Sequence, residues 1–269
     1  MFKILRGVGG ERVFRGATIS ALALLTIFFV GIVVSMLTYT DWSTFISAIL
    51  SEEILFAIRL SLITATIATI VSLLIAIPVA YAISQAEFPG KDIVDSMLDL
   101  PIVISPVAIG AALLVFFNTQ IGAGIGDGII KFVFAVPGII LAQVTVISAL
   151  AVRLLKSTFD RIDPRYEQVG RTLGCSKPEV FLRVTLPLAK DGLIASGILT
   201  WARAVGEFGA TVTLAGATAM KTETLPIAIF RSLASADVGK AIAVIFVLVI
   251  IAVVALIAIR KIIGRRYPI

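Results

Sequence analysis

The chain has 269 residues, of which 59% are hydrophobic and 15% charged, and its mean hydropathy is +1.07. No water-soluble globular domain can hide that much apolar side chain, so the composition excludes one and makes a lipid bilayer part of the solvent. A net charge of +6 and a pI near 9.7 suggest nucleic acid, but the basic residues cluster beside apolar runs rather than along one face, which argues against it.

In chain order, residues 1–15 form a short basic segment with Lys3, Arg6, Arg12 and Arg15, and Gly16–Thr40 then runs without a charge. That run is longer than the apolar core of a cleaved leader, so it reads as a retained first span. Asp41–Glu53 is polar, with Trp42 placed for an interface and Glu52-Glu53 at its end. Leu60–Ser84 is the second span and Gln85–Asp99 a polar turn containing Phe88-Pro89-Gly90-Lys91. Leu100–Gln120 is the third span, opening with Pro101 and Pro106, and Ser105 beside them suggests a kinked helix near a path. Gly122–Lys131 reads as a glycine-rich loop, and Phe132–Val152 is the fourth span. The fifth apolar stretch, Gly192–Met220, is interrupted by Arg203 and Glu207. Lys221–Lys240 is a polar connection, Ala241–Ile259 the sixth span, and Arg260, Lys261, Arg265 and Arg266 close the chain. The expected fold is therefore all-α, with six membrane helices of about 20 residues each in one domain over residues 16–262, after the segment 1–15.

Charge sets an orientation. Four Lys and Arg lie in residues 1–15, one in 85–99, eight in 153–190 and four in the tail; the other six are Arg59, Lys131, Arg203, Lys221, Arg231 and Lys240. The basic-rich side is expected to be cytoplasmic, with both termini on it. The lone Cys175 permits no internal disulfide. The absence of histidine excludes a His-based metal site or proton relay, and no metal or cofactor is expected in the chain. The glycines Gly7, Gly9 and Gly10 lack the lysine of a phosphate-binding loop, so ATP is not bound here.

The longest clearly polar segment is 153–190. Asp163-Pro164 reads as a helix N-cap and first helical position, Arg165–Leu173 as a short helix, and Gly174 as its left-handed cap. Ser176-Lys177-Pro178-Glu179 restarts a second helix. A short capped helix without a deep core of its own, hung between spans, is shaped to dock on a partner. In the fifth stretch, Arg203 and Glu207 lie four apart and can pair on one helix face. Ionisable groups at membrane depth are costly unless paired or facing water, so the two are read either as a structural pair or as lining a path for an anion. Gly206, Gly209 and Ala210 allow close backbone approach.

These residues carry a resemblance. Gln168-Val169-Gly170, then Gly174 and, nine residues on, Val184-Thr185-Leu186-Pro187 resemble the EAA loop of ABC-importer permeases. Gln-Val-Gly stands where that family has Glu-Ala-Ala, with Glu167 one residue earlier. Trp201-Ala202-Arg203-Ala204-Val205-Gly206-Glu207-Phe208-Gly209-Ala210-Thr211 and Lys221-Thr222-Glu223-Thr224-Leu225-Pro226 are similar to segments of molybdate, tungstate and sulfate permeases. The resemblance implies the membrane domain of a type I ABC importer, non-catalytic itself. It also implies coupling to a partner ATPase through Arg165, Glu167, Gln168, Gly170, Arg171, Gly174 and Pro187, and a pore or gate near Ser105, Arg203, Glu207, Phe208, Gly209 and Thr211. The implied partners are a second copy of the chain, two cytoplasmic ATPase subunits that bind ATP and magnesium, and an extracytoplasmic oxyanion-binding protein. The cargo the resemblance implies is molybdate or tungstate, with a sulfate or phosphate permease as the alternative. An independent secondary transporter or channel predicts membrane acids for ion coupling or inverted repeats; Glu207 alone suits the former and no second half matches.

Overall fold

The structure is a computed structural model that describes residues 8–39, 42–128 and 130–264. Lys3, Arg6, Asp41, Arg265 and Arg266, which figure in the sequence reading, lie outside the described residues. Among those described, the chain is helical throughout, with no strand. The elements are α1 (Val8–Tyr39), α2 (Trp42–Ile49), α3 (Glu52–Gln85), α4 (Lys91–Val103), α5 (Pro106–Phe117), α6 (Gln120–Gly128) and α7 (Val136–Phe159). Next come α8 (Arg165–Thr172), α9 (Lys177–Val180), a π-helical turn (Phe181–Thr185), α10 (Leu186–Leu188), α11 (Lys190–Val205), α12 (Gly209–Ala215), α13 (Leu225–Ala234) and α14 (Val238–Gly264).

Four helices are long and apolar enough to cross a bilayer: α1, α3, α7 and α14. The third expected span is bent instead, α4 meeting α5 at 106°. Pro101, the extended backbone at Ile104 and Ser105, and Pro106 at the start of α5 account for the bend, because proline removes a backbone donor and forces the residue before it out of the helical region. The fifth expected span is broken as well, into α11 of 16 residues and α12 of seven, separated by Gly206–Phe208. Six apolar stretches are thus present, but not as six straight spans.

Several expectations about the connections change. The turn expected over Gln85–Asp99 is mostly α4, whose acidic side reaches α7: Arg153 donates to Asp99 and, at 3.1 Å, to Asp95 Oδ2. Arg153 accordingly belongs to the last turns of α7 and not to the loop. The glycine-rich loop over 122–131 contains α6, and the polar connection over 221–240 contains the largely buried α13. Residues 8–15 of the basic segment are part of helix α1. For α4, α6 and α13 the cause is shared: short helices with a mixed face show little apolar periodicity, and a neighbouring helix supplies the stabilisation that their own sequence lacks.

Helices α3 and α7 lie side by side and pack most extensively. They run in the same direction, as Ser72 contacts Ser148 and Ser84 Oγ donates to Asp160 Oδ1 at 2.6 Å. Small residues line the seam: Ala65, Ala68, Ala76 and Ala80 are fully buried, which allows the close helix approach that drives association in lipid. Helix α11 returns against both, with Trp201 Nε1 donating to Thr66 Oγ1 at 3.0 Å. At the far end from α8, Glu53 of α3 accepts from Arg231 (2.9 Å) and Lys240, while Arg231 also pairs with the buried Glu223. This four-residue clasp joins the starts of α3 and α14 to α13, and offsets the cost of burying Glu223.

Candidate functional site

The predicted coupling residues form a compact unit at the end of α3 and α7. Asp163 Oδ1 accepts from the Arg165 N–H at 2.9 Å, so Asp163 caps the start of α8 as expected, with Pro164 already in helical conformation. At the other end Gly174 adopts φ +89°. Its N–H donates to the Arg171 carbonyl, and that of Cys175 to the Gly170 carbonyl. This is the paired closing pattern that a left-handed residue after a helix permits. Arg171 reinforces it through a bond from Nη1 to the Cys175 carbonyl at 3.1 Å.

The unit has two faces. Inward, Glu167 accepts from Tyr81 Oη of α3 at 3.1 Å and from Thr185 Oγ1 at 2.5 Å. Gly170 is buried against Val180, whose Cγ2 would stand 3.0 Å from an added Cβ. Glu167, not the exposed Gln168, therefore fastens α8 to the membrane helices. Tyr81 continues the attachment by ring contacts with Phe159 of α7 and Phe181 of the π-helical turn. Outward, Tyr166, Val169 and Leu173 are exposed at 57, 57 and 79%. Spaced three and four apart, they form an apolar ridge on one side of α8. Sequence reasoning missed this ridge, although its spacing is visible in an otherwise polar loop. Arg165, Gln168 and Pro187 are exposed as well. A cavity of about 670 Å³ opens between the end of α3 and α8, lined among others by Gln85, Gln168, Arg171 and Lys177.

Just beyond, the Glu179 carboxylate accepts from the Ser176 backbone N–H (2.8 Å) and hydroxyl (2.7 Å). Those two bonds, the backbone one first, hold Glu179 below the usual carboxylate range. A lowered acid stabilises the folded form above its unfolded value and loses that contribution as pH falls through the folded value. Protection of the amides in 177–180, measured against unstructured-peptide rates at each pH, is therefore expected to decline as pH falls below the usual carboxylate range in the wild type, and to lose that decline in Glu179→Gln.

The second group of predicted residues gathers at the break between α11 and α12. Arg203 Nη1 pairs with Glu207 Oε2 at 2.7 Å, but not along one helix face as the spacing suggested. Helix α11 ends at Val205, and Glu207 stands in the break, 1% exposed against 39% for the Arg203 side chain. Its other oxygen accepts from the Ala210 N–H at 3.1 Å, capping α12. Gly209 and Gly110 bring α12 against the start of α5: an added Cβ on Gly209 would meet Val107 at 2.9 Å, and one on Gly110 the Ala210 carbonyl at 2.7 Å. Ser105 is exposed at that same corner, and Thr211 is fully buried on α12. Phe208 packs on Phe230 of α13, with ring centroids 5.4 Å apart and the planes tilted by 44°. Close approach is thus real at Gly209 and Ala210, while Gly206 meets only carbonyls of its own preceding turn.

A capped helix is thus fastened to two spans, and a broken helix lies elsewhere in the same bundle. The family model for the inner membrane component of binding-protein-dependent transport systems matches residues 73–267, which include both groups. This chain belongs to that family. A "probable molybdenum ABC transporter permease protein" of Haloferax volcanii is 34% identical over 91% of this chain and 89% of its own length. The sulfate transport system permease protein CysW of Synechocystis sp. is 32% identical over 82% of this chain and 81% of its length. The fold matches a chain of a bacterial alginate ABC transporter solved with its periplasmic protein, with a TM-score of 0.75, 16% identity and coverage of 95% of this chain and 94% of that one. As a member of the family, the chain is a membrane-embedded ABC permease subunit.

Proposed function

We propose that the chain is the membrane-spanning subunit of an ATP-driven importer for a tetrahedral oxyanion, molybdate or tungstate before sulfate. Two copies would work with two cytoplasmic ATPase subunits and an extracytoplasmic binding protein. The chain itself holds no nucleotide or metal, and α8 and both termini face the cytoplasm. The observation that carries this reading is the two-faced α8. Its outward ridge of Tyr166, Val169 and Leu173 is the apolar anchor that a docking helix presents, and its inward Glu167 ties it to Tyr81 and Thr185. Movement of a docked partner then carries α8, α3 and α7 together.

The cargo follows from the relatives named for molybdenum and sulfate and from the run Arg203–Thr211. Pairing with Glu207 moderates the attraction of Arg203 for a dianion, which suits a conduit that must release what it binds. Sulfate is the second reading, supported by the 32% identity to the sulfate permease, over a shorter match than that to the molybdenum relative. In proteoliposomes with its ATPase and binding protein, the complex is expected to hydrolyse ATP several-fold faster with the molybdate- or tungstate-loaded binding protein than with the sulfate-loaded one. Equal stimulation by sulfate assigns the second reading, and full-speed transport by the chain without an ATPase ends both.

A further inference from the structure

We propose that Gln143, in the first half of α7, is a positioning residue that links the seat of the coupling helix to the break between α11 and α12, resting on the importer reading above. Gln143 is 1% exposed, and its Nε2 donates to the Ala204 carbonyl at 3.1 Å. Ala204 lies in the last turn of α11, where carbonyls lack partners within the helix. At membrane depth such a group needs a partner from elsewhere in the protein. The Glu207 N–H takes one lone pair of this carbonyl at 3.1 Å and Gln143 the other. The break is thus held from within by Glu207, which also caps Ala210, and from outside by the Gln143 bond of α7, beside the packing of α12 on α5 and of Phe208 on Phe230.

Helix α7 runs from that bond to the seat of α8. Phe159, 16 residues on, or about 24 Å along the helix, contacts the Tyr81 ring that carries Glu167. A shift of α8 therefore reaches Tyr81 and Phe159 at one end of a rigid helix and the Ala204 carbonyl at the other. A second observation points to the same place. Gln143 Oε1, Thr200 Oγ1 and Thr211 Oγ1 are buried without a hydrogen-bond partner among the described residues. One stands on each of α7, α11 and α12, three of the elements that adjoin the break. Buried polar atoms are rarely left this way. Here they supply spare acceptors and donors for backbone groups released when the break changes shape, so Gln143 governs how the break repacks as well as where it sits.

The test measures oxyanion taken up per ATP hydrolysed by the complete transporter in proteoliposomes, for wild type, Gln143→Leu, Gln143→Met and Gln143→Glu, at pH 6 and pH 8.5. Loss of the donor in Gln143→Leu and Gln143→Met is expected to lower this ratio about tenfold, with ATP hydrolysis continuing. In Gln143→Glu a buried carboxyl is protonated at the lower pH and can donate to Ala204, then loses the proton at the higher one. Its ratio is therefore expected to recover at pH 6 and collapse at pH 8.5, while Arg203 and Glu207, the charged groups flanking the break, are retained in every variant and the wild type serves as the pH control. A wild-type ratio in Gln143→Leu and Gln143→Met overturns the proposal. So does a Gln143→Glu ratio that ignores pH, or a fall in assembled complex whose remainder couples normally. Failure of the wild type to take up oxyanion with ATP would instead sink the importer reading.

Discussion

Replacing Glu207 with Leu is expected to remove most of the assembled complex from the membrane fraction. The substitution deletes two interactions of a fully buried carboxylate, the pair with Arg203 and the bond from the Ala210 N–H. Breaking a buried ion pair by removing one partner costs about 3–5 kcal/mol; the half-exposed Arg203 places this pair at the low end, because solvent reaches one side of it. The loss of the α12 cap adds about 1 kcal/mol. Glu207→Gln keeps an oxygen for Ala210 and gives up only the charge, so its complex is expected to form in intermediate yield. Quantifying intact complex by size-exclusion after extraction checks both. Normal assembly of Glu207→Leu with uptake alone abolished would transfer Glu207 from a structural role to the transport path.

The other large effect is expected on the outward side of α8. In Val169→Asp/Leu173→Asp, two exposed apolar side chains become charged without touching the inward anchors Glu167 and Gly170. Interface anchors are worth about 2 kcal/mol or more each, so the double variant is expected to lose its ATPase from the purified complex and more than 100-fold of its ATP-driven uptake. The permease itself should insert and fold normally, because neither side chain packs against its own bundle. Retention of the ATPase by this variant would mean that the ridge meets something else, and α8 would then need another account. Gln168→Ala, also outward but polar, is expected to have a smaller effect by the same measurement.

The two groups of residues differ in how far they were legible. The caps of α8 could be read from Asp163, Pro164 and Gly174, since capping is a local matter of side-chain reach and left-handed backbone. The partition of α8 was not legible: Glu167 and Gln168 are adjacent, and only the position of Tyr81, 86 residues earlier in the chain, decides which faces the bundle. The Arg203–Glu207 pair was legible from spacing, yet its setting was not. Spacing assumes a continuous helix, and the chain breaks at Gly206. Gln143 carried no signal at all, since one amide in an apolar run has no period and no motif.

The sequence by itself determined that this is an all-helical bilayer protein, that its charge is asymmetric, and that a capped helix hangs between its spans. Those properties follow from composition, run length and neighbours within a few residues, where hydrophobic transfer and local hydrogen bonding dominate. Only the tertiary structure decided where the spans bend and break, which side of α8 is fastened, and that the clasp of Glu53, Glu223, Arg231 and Lys240 closes the far end. In lipid every backbone group must find a partner inside the protein, so a helix can stop at Val205 only where other residues take over its free carbonyls. Those partners lie far away in sequence, and folding alone brings them there.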